Sequence, residues 1–298
     1  MNAVTAQAVA DHADEQNTAA FAFVQSLAAE LSQGSIDLPS LPDVAFRVRM
    51  VLADARCTVD KIVRVTSAEP ILATRLLRMA NSMAFNPAGH PVSDLRNAIN
   101  RVGHNIVRSA AISFAMEQIR RSESLQRIRP RLEELWEEST HVAAVAYLLA
   151  KRFTTRNPDQ ALLTGMLHNV GKLYILTRLV DHPLLFRDHE SLQAITRDWH
   201  ANIGTAILEN WSLPDEVCEA VRDHEDITRA HRGAADLTDI TTAAVILSQV
   251  AARADGLQPD LQELKAFRAL GIDNAAGQLV INDMQEEIGA LRQALGGH

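Results

Sequence analysis

Residues 162–176 read LLTGMLHNVGKLYIL, an apolar stretch interrupted by the polar pair His168 and Asn169. Apolar residues recur here at helical spacing, and Gly171 predicts a bend directly after the pair. A histidine on such a helix is most often a hydrogen-bonded core residue. The same pair could also be part of a metal site. The surrounding sequence has to decide between these interpretations.

Helical periodicity continues over most of the 298 residues, and no stretch shows sustained strand alternation. Aromatic residues make up only 4% of the chain, whereas Ala and Leu, which favour helices, are abundant. Both observations predict an all-α protein. The predicted helices span residues 21–31, 58–66, 67–85, 93–102, 104–119, 131–153, 159–179, 189–210, 214–222 and 238–254, with a tail over 260–295.

A polar segment centred on Pro130 separates two groups of predicted helices, so we expect two lobes. The predicted organisation has four parts: an N-terminal extension, partly disordered and then helical, over 1–35; a first helical lobe over 36–125; a second over 126–256; and a C-terminal tail over 257–298. The tail is expected to pack on the second lobe through its apolar residues Leu279, Ile281, Met284, Ile288 and Leu291.

Charge is unevenly distributed along the chain. The net charge is −8, but residues 39–121 hold 12 basic and 6 acidic residues, a local charge of +6. A helix–glycine–helix pattern over 93–119 is similar to a helix-turn-helix. The arginines there are spaced singly, which is typical of solvated helix faces, so nucleic-acid binding is not expected. These arginines are Arg47, Arg49, Arg75, Arg78, Arg101 and Arg108.

The sequence predicts a soluble, cytoplasmic protein. Its longest apolar run, 142–150, is about half of what a membrane-spanning helix needs. The N-terminal residues lack the basic region of a secretory signal. Cys57 and Cys218 lie far apart and match no metal or redox spacing, which indicates reduced thiols.

Several segments resemble one protein family. TGMLHNVGKL (164–173), with Gly171 and Lys172, resembles the segment that names the HD metal-dependent phosphohydrolases, and WEESTHVAAVAYLLAKRF (136–153) resembles their first helix. The order of the other segments resembles one subgroup, the HDOD or HD-related output domains, over residues 36–255. These segments are LPSLPDVAFRV (38–48), SAEPILATRLLRMANSMAF (67–85) with Asn81 and Ser82, VSDLRNAINRVG (92–103), and WSLP (211–214) with Trp211 and Pro214.

The departures from the hydrolase pattern concern its metal ligands. HD hydrolases hold metal with a His, an adjacent His-Asp pair and a distant Asp. Here the first His position is Glu138, the Asp of the pair is Asn169, and only His168 remains. Candidates for the final Asp position are Leu247, Ser248 and Gln249, while His200 and His224 resemble additional histidines of two-metal relatives.

This pattern favours a vestigial site formed by Glu138, His168, Asn169, His200 and His224. A carboxylate offsets the cost of removing water from a metal ion, whereas an amide supplies only a dipole. Without a metal, water keeps its high pKa and no nucleophile forms at neutral pH. We therefore expect no metal and no other cofactor. The alternative is a variant metal site of Glu138, His168, His200 and His224.

The resemblance implies a non-catalytic output or scaffold module of bacterial signal transduction that acts through a protein partner. One alternative is a divergent metal-dependent phosphohydrolase acting on nucleotides or cyclic dinucleotides. Another is a regulator that binds a nucleotide without turnover. We also expect Asn81 and Ser82 to brace the fold by bonding backbone groups near a helix end.

Overall fold

The computed structural model describes residues 3–33, 47–48, 50–52, 54, 57–182, 185, 188–252, 260–283 and 285–295, with side chains from residue 18 onward except Asp283. All regular elements in these ranges are helical, which confirms the all-α prediction. The α-helices are α1 (Ala3–Gln33), α2 (Val59–Ser67), α3 (Pro70–Asn81), α4 (Leu95–Arg120), α5 (Arg129–Phe153), α6 (Pro158–Leu167), α7 (Val170–Arg178), α8 (His189–Asn210), α9 (Asp215–Asp223), α10 (Leu237–Ala252), α11 (Lys265–Leu270), α12 (Asn274–Asp283) and α13 (Gln285–Leu295). Short 3₁₀ helices lie at Glu123–Ile128, Leu179–Asp181 and Leu261–Glu263.

Helix α1 begins earlier than the sequence predicted. It starts at Ala3 rather than near Phe21, so the predicted start of this helix was wrong, while the expected partial disorder of residues 1–35 stays a prediction. The Ala-rich composition of this segment explains its helicity, because Ala has the highest helix propensity. The end of α1 packs on the second lobe: Glu30 accepts hydrogen bonds from Tyr174 and Arg178 on α7.

Helix α2 begins as predicted, because the Thr58 side chain accepts a hydrogen bond from the backbone N–H of Lys61. The predicted starts of the next two helices, at Ser67 and Ser93, were wrong. Helix α2 continues through Ser67, so this residue cannot cap α3, whose N-cap is Glu69 with Pro70 in the first turn. Helix α4 is capped by Asp94 rather than Ser93, since the Asp94 carboxylate accepts from the N–H of Asn97.

The predicted break at Gly103 is present, but no separate turn follows it. Helical chain continues on both sides of Gly103, whose φ of 82° lies in the left-handed region that glycine tolerates. Leu95–Arg120 therefore consists of two helical segments that meet at a kink at Gly103, as the sequence predicted.

The second lobe is built around α5. Helix α6 packs along α5, α10 packs on both, and α8 packs on α7. The helix predicted over 159–179 is interrupted: α6 ends at Leu167, His168 and Asn169 form the junction, and α7 begins at Val170. His168 and Asn169 therefore lie between two helices instead of within one. This junction is the local feature that positions the candidate site.

The two lobes are in contact, and the C-terminal helix α13 joins them. The Ser113 hydroxyl of α4 donates a hydrogen bond to the carbonyl oxygen of Leu295 at 2.7 Å, while Arg292 pairs with Glu137 of α5 at 2.5 Å. The tail therefore packs on both lobes rather than on the second alone. The division of the chain near residue 125 stays a prediction.

The expected apolar contacts of the tail are confirmed in part. Ile288 and Leu291 are buried and Ile281 is half-buried, but Leu279 is 46% exposed, so its predicted packing was wrong. Leu279 lies on α12, whose other face packs against α10, which leaves this position towards solvent. Met284 lies outside the described residues.

The prediction of solvated arginines fails at Arg75. This side chain is 8% exposed, donates to the Ser113 hydroxyl at 2.9 Å, and forms an ion pair with Glu117. Periodicity could not reveal it, because its partners lie 38 and 42 positions along the chain. Of the others, Arg47 and Arg78 are exposed, Arg101 and Arg108 are half-buried, and Arg49 lies outside the described residues.

The Asn-Ser pair at the end of α3 bonds backbone groups as expected. The Asn81 amide accepts from the N–H of Val92 at 2.7 Å and donates to the carbonyl of Val92 at 2.8 Å. The Ser82 hydroxyl donates to the Met79 carbonyl at 2.8 Å. Asn81 thus holds the loop before α4 against the end of α3. The segment LPSLPDVAFRV lies mostly outside the described residues.

No described helix combines the length and apolarity that crossing a membrane requires.

We predict that Asn81→Ala lowers the midpoint of thermal unfolding. The substitution removes both hydrogen bonds to Val92, each worth about 0.5–1.5 kcal/mol. Asn282→Ala is the matched control, because this amide is exposed and accepts only from Gln278 one helical turn away. Calorimetry should show a midpoint several degrees lower for Asn81→Ala and nearly unchanged for the control. Equal midpoints for the two variants would contradict the bracing role.

Candidate functional site

Three histidines from different elements meet inside the second lobe. His168 follows the end of α6, His200 lies in the middle of α8, and His224 follows the end of α9. All three are buried, with exposed fractions of 0, 0 and 2%. The structure therefore brings together residues that the sequence places up to 56 positions apart.

The turn between α8 and α9 sets the relation between His200 and His224. Trp211 ends α8 and is buried, Ser212 adopts a φ of 52°, and the Pro214 carbonyl accepts from the first turn of α9. The predicted motif residues Trp211 and Pro214 thus act by fixing the backbone of the turn between α8 and α9. They make no contribution to the donor set itself.

Each histidine is held in the same way. The Nδ1 atoms lie 2.7, 2.8 and 2.7 Å from the backbone carbonyls of Gly165, Thr196 and Val221, respectively. A carbonyl oxygen only accepts hydrogen bonds, so every Nδ1 must carry the proton. In the neutral ring, Nε2 is then a bare lone pair. This is the arrangement by which metal-ligating histidines are oriented.

The three histidine rings lie side by side in one buried region of the second lobe. The His224 ring stands edge-on to both neighbours, with centroids 5.4 Å from His168 and 5.5 Å from His200. None of the three Nε2 atoms has a hydrogen-bond partner among the described residues. Leaving a buried polar atom unsatisfied costs about 1–3 kcal/mol, so this space favours an occupant that accepts electron pairs.

The protonated, positively charged form of His224 is disfavoured. Burial lowers the pKa of His224, and the neighbouring rings of His168 and His200 lower it further, to about 3. The central imidazole is therefore neutral at physiological pH. Its lone pair is available to a cation.

Two carboxylates lie at the rim of the space. Glu138 of α5 approaches the Nε2 atom of His168 at 3.9 Å, and Glu225 approaches that of His200 at 3.3 Å. Burial raises the pKa of Glu138, but His168, together with Lys172, outweighs it and the pKa falls to about 2. His200 lowers the pKa of Glu225 to about 2 despite burial. Both carboxylates are therefore ionised.

Sequence reasoning missed Glu225. It directly follows His224, but no hydrolase-like pattern assigns a ligand there. The spatial signal is clear: one ligand atom each from His200, His224 and Glu225 lie within 4.8 Å of one another. An ionised carboxylate at 3.3 Å from a lone pair is repulsive unless a proton or a metal ion lies between them.

The positions expected to replace hydrolase carboxylates hold no charge. Asn169 is fully buried, and neither its amide oxygen nor its amide nitrogen has a hydrogen-bond partner among the described residues. On α10, Leu247 is buried, Ser248 donates to the Ala244 carbonyl at 2.7 Å, and Gln249 is exposed. The His-Asp pair of the hydrolases is therefore not rebuilt by neighbouring side chains from α10.

An open cavity of about 580 Å³ leads to the two carboxylates. Its lining mixes charges of both signs, since acidic Glu134, Glu138 and Glu225 face basic Arg131, Lys172 and Arg197. Lys172, a predicted motif position, lies 4.0 Å from Glu225. The cavity is large enough for a small ligand, and it places any such ligand beside the rim rather than among the buried rings.

The available ligand atoms are mainly imidazole nitrogens. They suit a transition-metal ion that prefers nitrogen, whereas the hydrolase site binds its metal with two carboxylates. Three oriented imidazoles and one carboxylate match the ligands that zinc takes in proteins. Of the predicted vestigial residues, Glu138 lies 3.9 Å from His168, and the rings of His168 and His200 each pack against that of His224. The variant metal site of these four residues stays a prediction. Asn169 adjoins them but offers only an amide.

A second histidine–carboxylate cluster lies elsewhere and is satisfied internally. His231 bonds Asp239 at 2.6 Å, and Arg229 pairs with Asp236 at 2.6 Å. Asp236 and Asp239 also accept each other's backbone N–H groups. These interactions stabilise the start of α10 and leave no unpaired Nε2.

The helices can carry the histidines this close because of glycine. A Cβ atom built at Gly171 would lie 1.9 Å from the His200 carbonyl oxygen and 2.8 Å from the backbone nitrogen of Gly204. Backbone therefore touches backbone where α7 crosses α8, and only glycine fits at 171. This explains the predicted motif position Gly171 physically: it sets how near the junction of α6 and α7 lies to His200.

Known proteins resemble the chain over most of its length. The HDOD domain family model matches residues 38–227. An uncharacterised protein of Treponema pallidum is 25% identical over 218 residues, which are 68% of this chain and 40% of that protein. This chain therefore spans less than half of that relative.

Solved structures share the fold. A candidate metal-dependent phosphohydrolase of Shewanella amazonensis superposes with a TM-score of 0.77 at 24% identity, covering 93% of this chain and 99% of the other. An HDOD domain protein of unknown function from Geobacter sulfurreducens gives a TM-score of 0.59 at 24% identity, with coverages of 91% and 96%. A candidate signal transduction protein of Marinobacter aquaeolei gives 0.59 at 21% identity, with coverages of 87% and 60%.

We predict that Gly171→Ala destabilises the protein by more than about 3 kcal/mol or prevents folding, because the new methyl group meets backbone atoms that cannot rotate away. Gly289→Ala on α13 is the matched control, since nothing lies within 4 Å of the added atom. The control should be neutral or up to about 1 kcal/mol more stable. Urea unfolding measures both. A Gly171→Ala protein as stable as the parent would show that α7 and α8 are not in backbone contact.

Proposed function

The chain belongs to the HDOD domain family, and we propose that within it the protein is a non-catalytic signalling output module acting through a protein partner. One observation carries the proposal: the buried residue after His168 is Asn169, an amide where the hydrolase pattern requires a carboxylate. A metal-bound water reaches a pKa near 7 only in a site built to stabilise hydroxide.

The remaining carboxylates support the same conclusion. Glu138 and Glu225 stand at the rim with 41% and 44% of their side chains exposed, in contact with solvent and basic residues. Charge in such a setting is screened and positions a nucleophile poorly. The hydrolase-like core retains its packing but not its paired carboxylates. We therefore assign the function to the outer surface of the protein, where a partner binds.

A protein partner is favoured over nucleic acid. The arginines of the first lobe are partly engaged in internal contacts, as in the buried pair of Arg75 with Glu117. The similarity in fold to a candidate signal transduction protein agrees with a role in signalling. The free cysteines Cys57 and Cys218 favour a reducing compartment, so we place the action in the cytoplasm.

A metal-dependent phosphohydrolase is the second candidate, and a regulator that binds nucleotide without turnover is related to it. The convergence of three buried imidazoles favours this candidate. Basic Arg131, Lys172 and Arg197 at the cavity of about 580 Å³ offer contacts for a nucleotide or cyclic dinucleotide phosphate. The same cavity carries acidic side chains, so its charge gives no net preference.

We predict that the protein hydrolyses no nucleotide, phosphomonoester or cyclic dinucleotide, with or without added Zn²⁺, Mn²⁺, Fe²⁺ or Mg²⁺. The matched variant is Asn169→Asp, which restores the missing carboxylate next to His168. Product formation measured by chromatography should stay at the no-protein rate for the parent. Metal-dependent turnover by the parent, lost on His224→Gln, would establish the hydrolase instead.

The partner itself is sought with tagged protein and mass spectrometry, with in-cell cross-linking to place it on the surface. Capture should be equal for the parent and for His224→Gln in metal-free buffer, because a surface-borne function does not need the buried rings. Capture that requires added nucleotide would favour the nucleotide-binding regulator.

A further inference from the structure

We propose that His168, His200 and His224, completed by Glu225, bind one nitrogen-preferring divalent metal ion that clamps the second lobe without supporting catalysis. The proposal rests on the proposed non-catalytic function and deepens it. It assigns the three buried imidazoles a ligand and gives the module a chemical input, the supply of the metal.

The first support is the direction of the lone pairs. All three Nδ1 atoms are committed to backbone carbonyls at 2.7–2.8 Å, so the only free donors are the Nε2 atoms. Each of these atoms is fully buried and has no partner among the described residues. Imidazole nitrogen suits zinc, nickel, copper and iron, whereas magnesium and calcium prefer oxygen.

The second support is the position of Glu225. Its carboxylate lies 3.3 Å from the Nε2 atom of His200, a distance at which two electron-pair donors need a proton or a metal ion between them. Ligands of a tetrahedral zinc ion about 2.1 Å away stand about 3.4 Å apart. The ligand atoms of His200, His224 and Glu225 already lie within 4.8 Å of one another, so small side-chain movements close the site.

His168 and Glu138 complete the surroundings. His168 packs edge-on against His224, with ring centroids 5.4 Å apart, and its Nε2 atom is buried without a partner among the described residues. Glu138 lies 3.9 Å from that nitrogen and adds a second negative charge at the rim. Three imidazoles and one carboxylate then supply four ligands, while Glu138 balances the ion.

The ligands come from separate elements, which gives binding a structural consequence. His168 belongs to the junction of α6 and α7, His200 to α8, and His224 with Glu225 to the end of α9. A metal ion bound to all of them ties these helices together. A metal ion that binds the folded form but not the unfolded form raises the free energy of unfolding as the metal concentration increases. Metal supply would thus set the rigidity of this lobe and of the cavity beside it.

The test uses tag-free, full-length protein stripped with chelator and titrated with Zn²⁺ alone by calorimetry, with bound zinc counted by elemental analysis. We expect one equivalent, and a midpoint of thermal unfolding that rises by several degrees. Glu225→Gln should weaken zinc binding at least tenfold, since it removes an exposed charged ligand without disturbing the core. His224→Gln should abolish both the binding and the rise in midpoint.

His231→Ala is the control for the second cluster, and it should leave zinc binding unchanged. Zinc lost in His231→Ala but retained in His224→Gln would overturn the proposal. So would Mg²⁺ binding as tightly as Zn²⁺, because oxygen ligands alone would then be in use. Absence of zinc binding would also overturn it, leaving a proton as the cation between His200 and Glu225.

Failure here is distinguishable from failure of the proposed function. A parent protein that binds no zinc and hydrolyses nothing defeats the metal site and leaves the non-catalytic module standing. A zinc-loaded protein that hydrolyses phosphoesters, with turnover lost in His224→Gln, confirms the site and defeats the non-catalytic role.

Discussion

Backbone contact between α7 and α8 at Gly171 is the constraint on which the rest of the second lobe depends. With the His200 carbonyl where a Cβ of residue 171 would be, the junction of α6 and α7 is drawn against the middle of α8. His168 at that junction then faces His200, and the turn from Trp211 to Pro214 returns α9 so that His224 lies between them. Wider helix spacing would separate the rings, and their unpaired Nε2 atoms would no longer share one space.

A second polar connection ties this lobe to the first. Arg75 donates to the Ser113 hydroxyl, which donates in turn to the carbonyl of Leu295 at the end of α13. Glu117 balances the buried guanidinium. Because a buried charge is tolerated only when it is paired and hydrogen-bonded, this chain of contacts requires α3, α4 and α13 to be in place together. The C-terminal helix is thereby part of the fold rather than an appendage.

The sequence predicted well those features that are local. The bounds of α8 and the start of α2 near residue 58 followed from periodicity, and the glycine break at 103 followed from the conformational freedom of that residue. It failed where long-range packing decides. Arg75 resembled a solvated helix residue because its partner Glu117 lies 42 positions away.

The candidate site shows the same division. His168, His200 and His224 could be singled out from the order of segments, but their convergence depends on helix crossings that no local pattern reveals. Glu225 was missed because its role comes from its distance to His200 and not from its neighbours in sequence. The buried amide Asn169 is one of three replaced ligand positions on which the proposed loss of hydrolysis depends, and the sequence alone identifies it.

The proposed metal site requires that three imidazoles are held by their Nδ1 protons and turn their Nε2 atoms to one buried space. Long-range proton–nitrogen NMR spectra of the imidazole rings in metal-free protein test it most directly, because nitrogen shifts distinguish the tautomers. We predict a proton on Nδ1 of His168, His200 and His224, and none on Nε2 of His224. A neutral ring protonated at Nε2 in any of the three would contradict it.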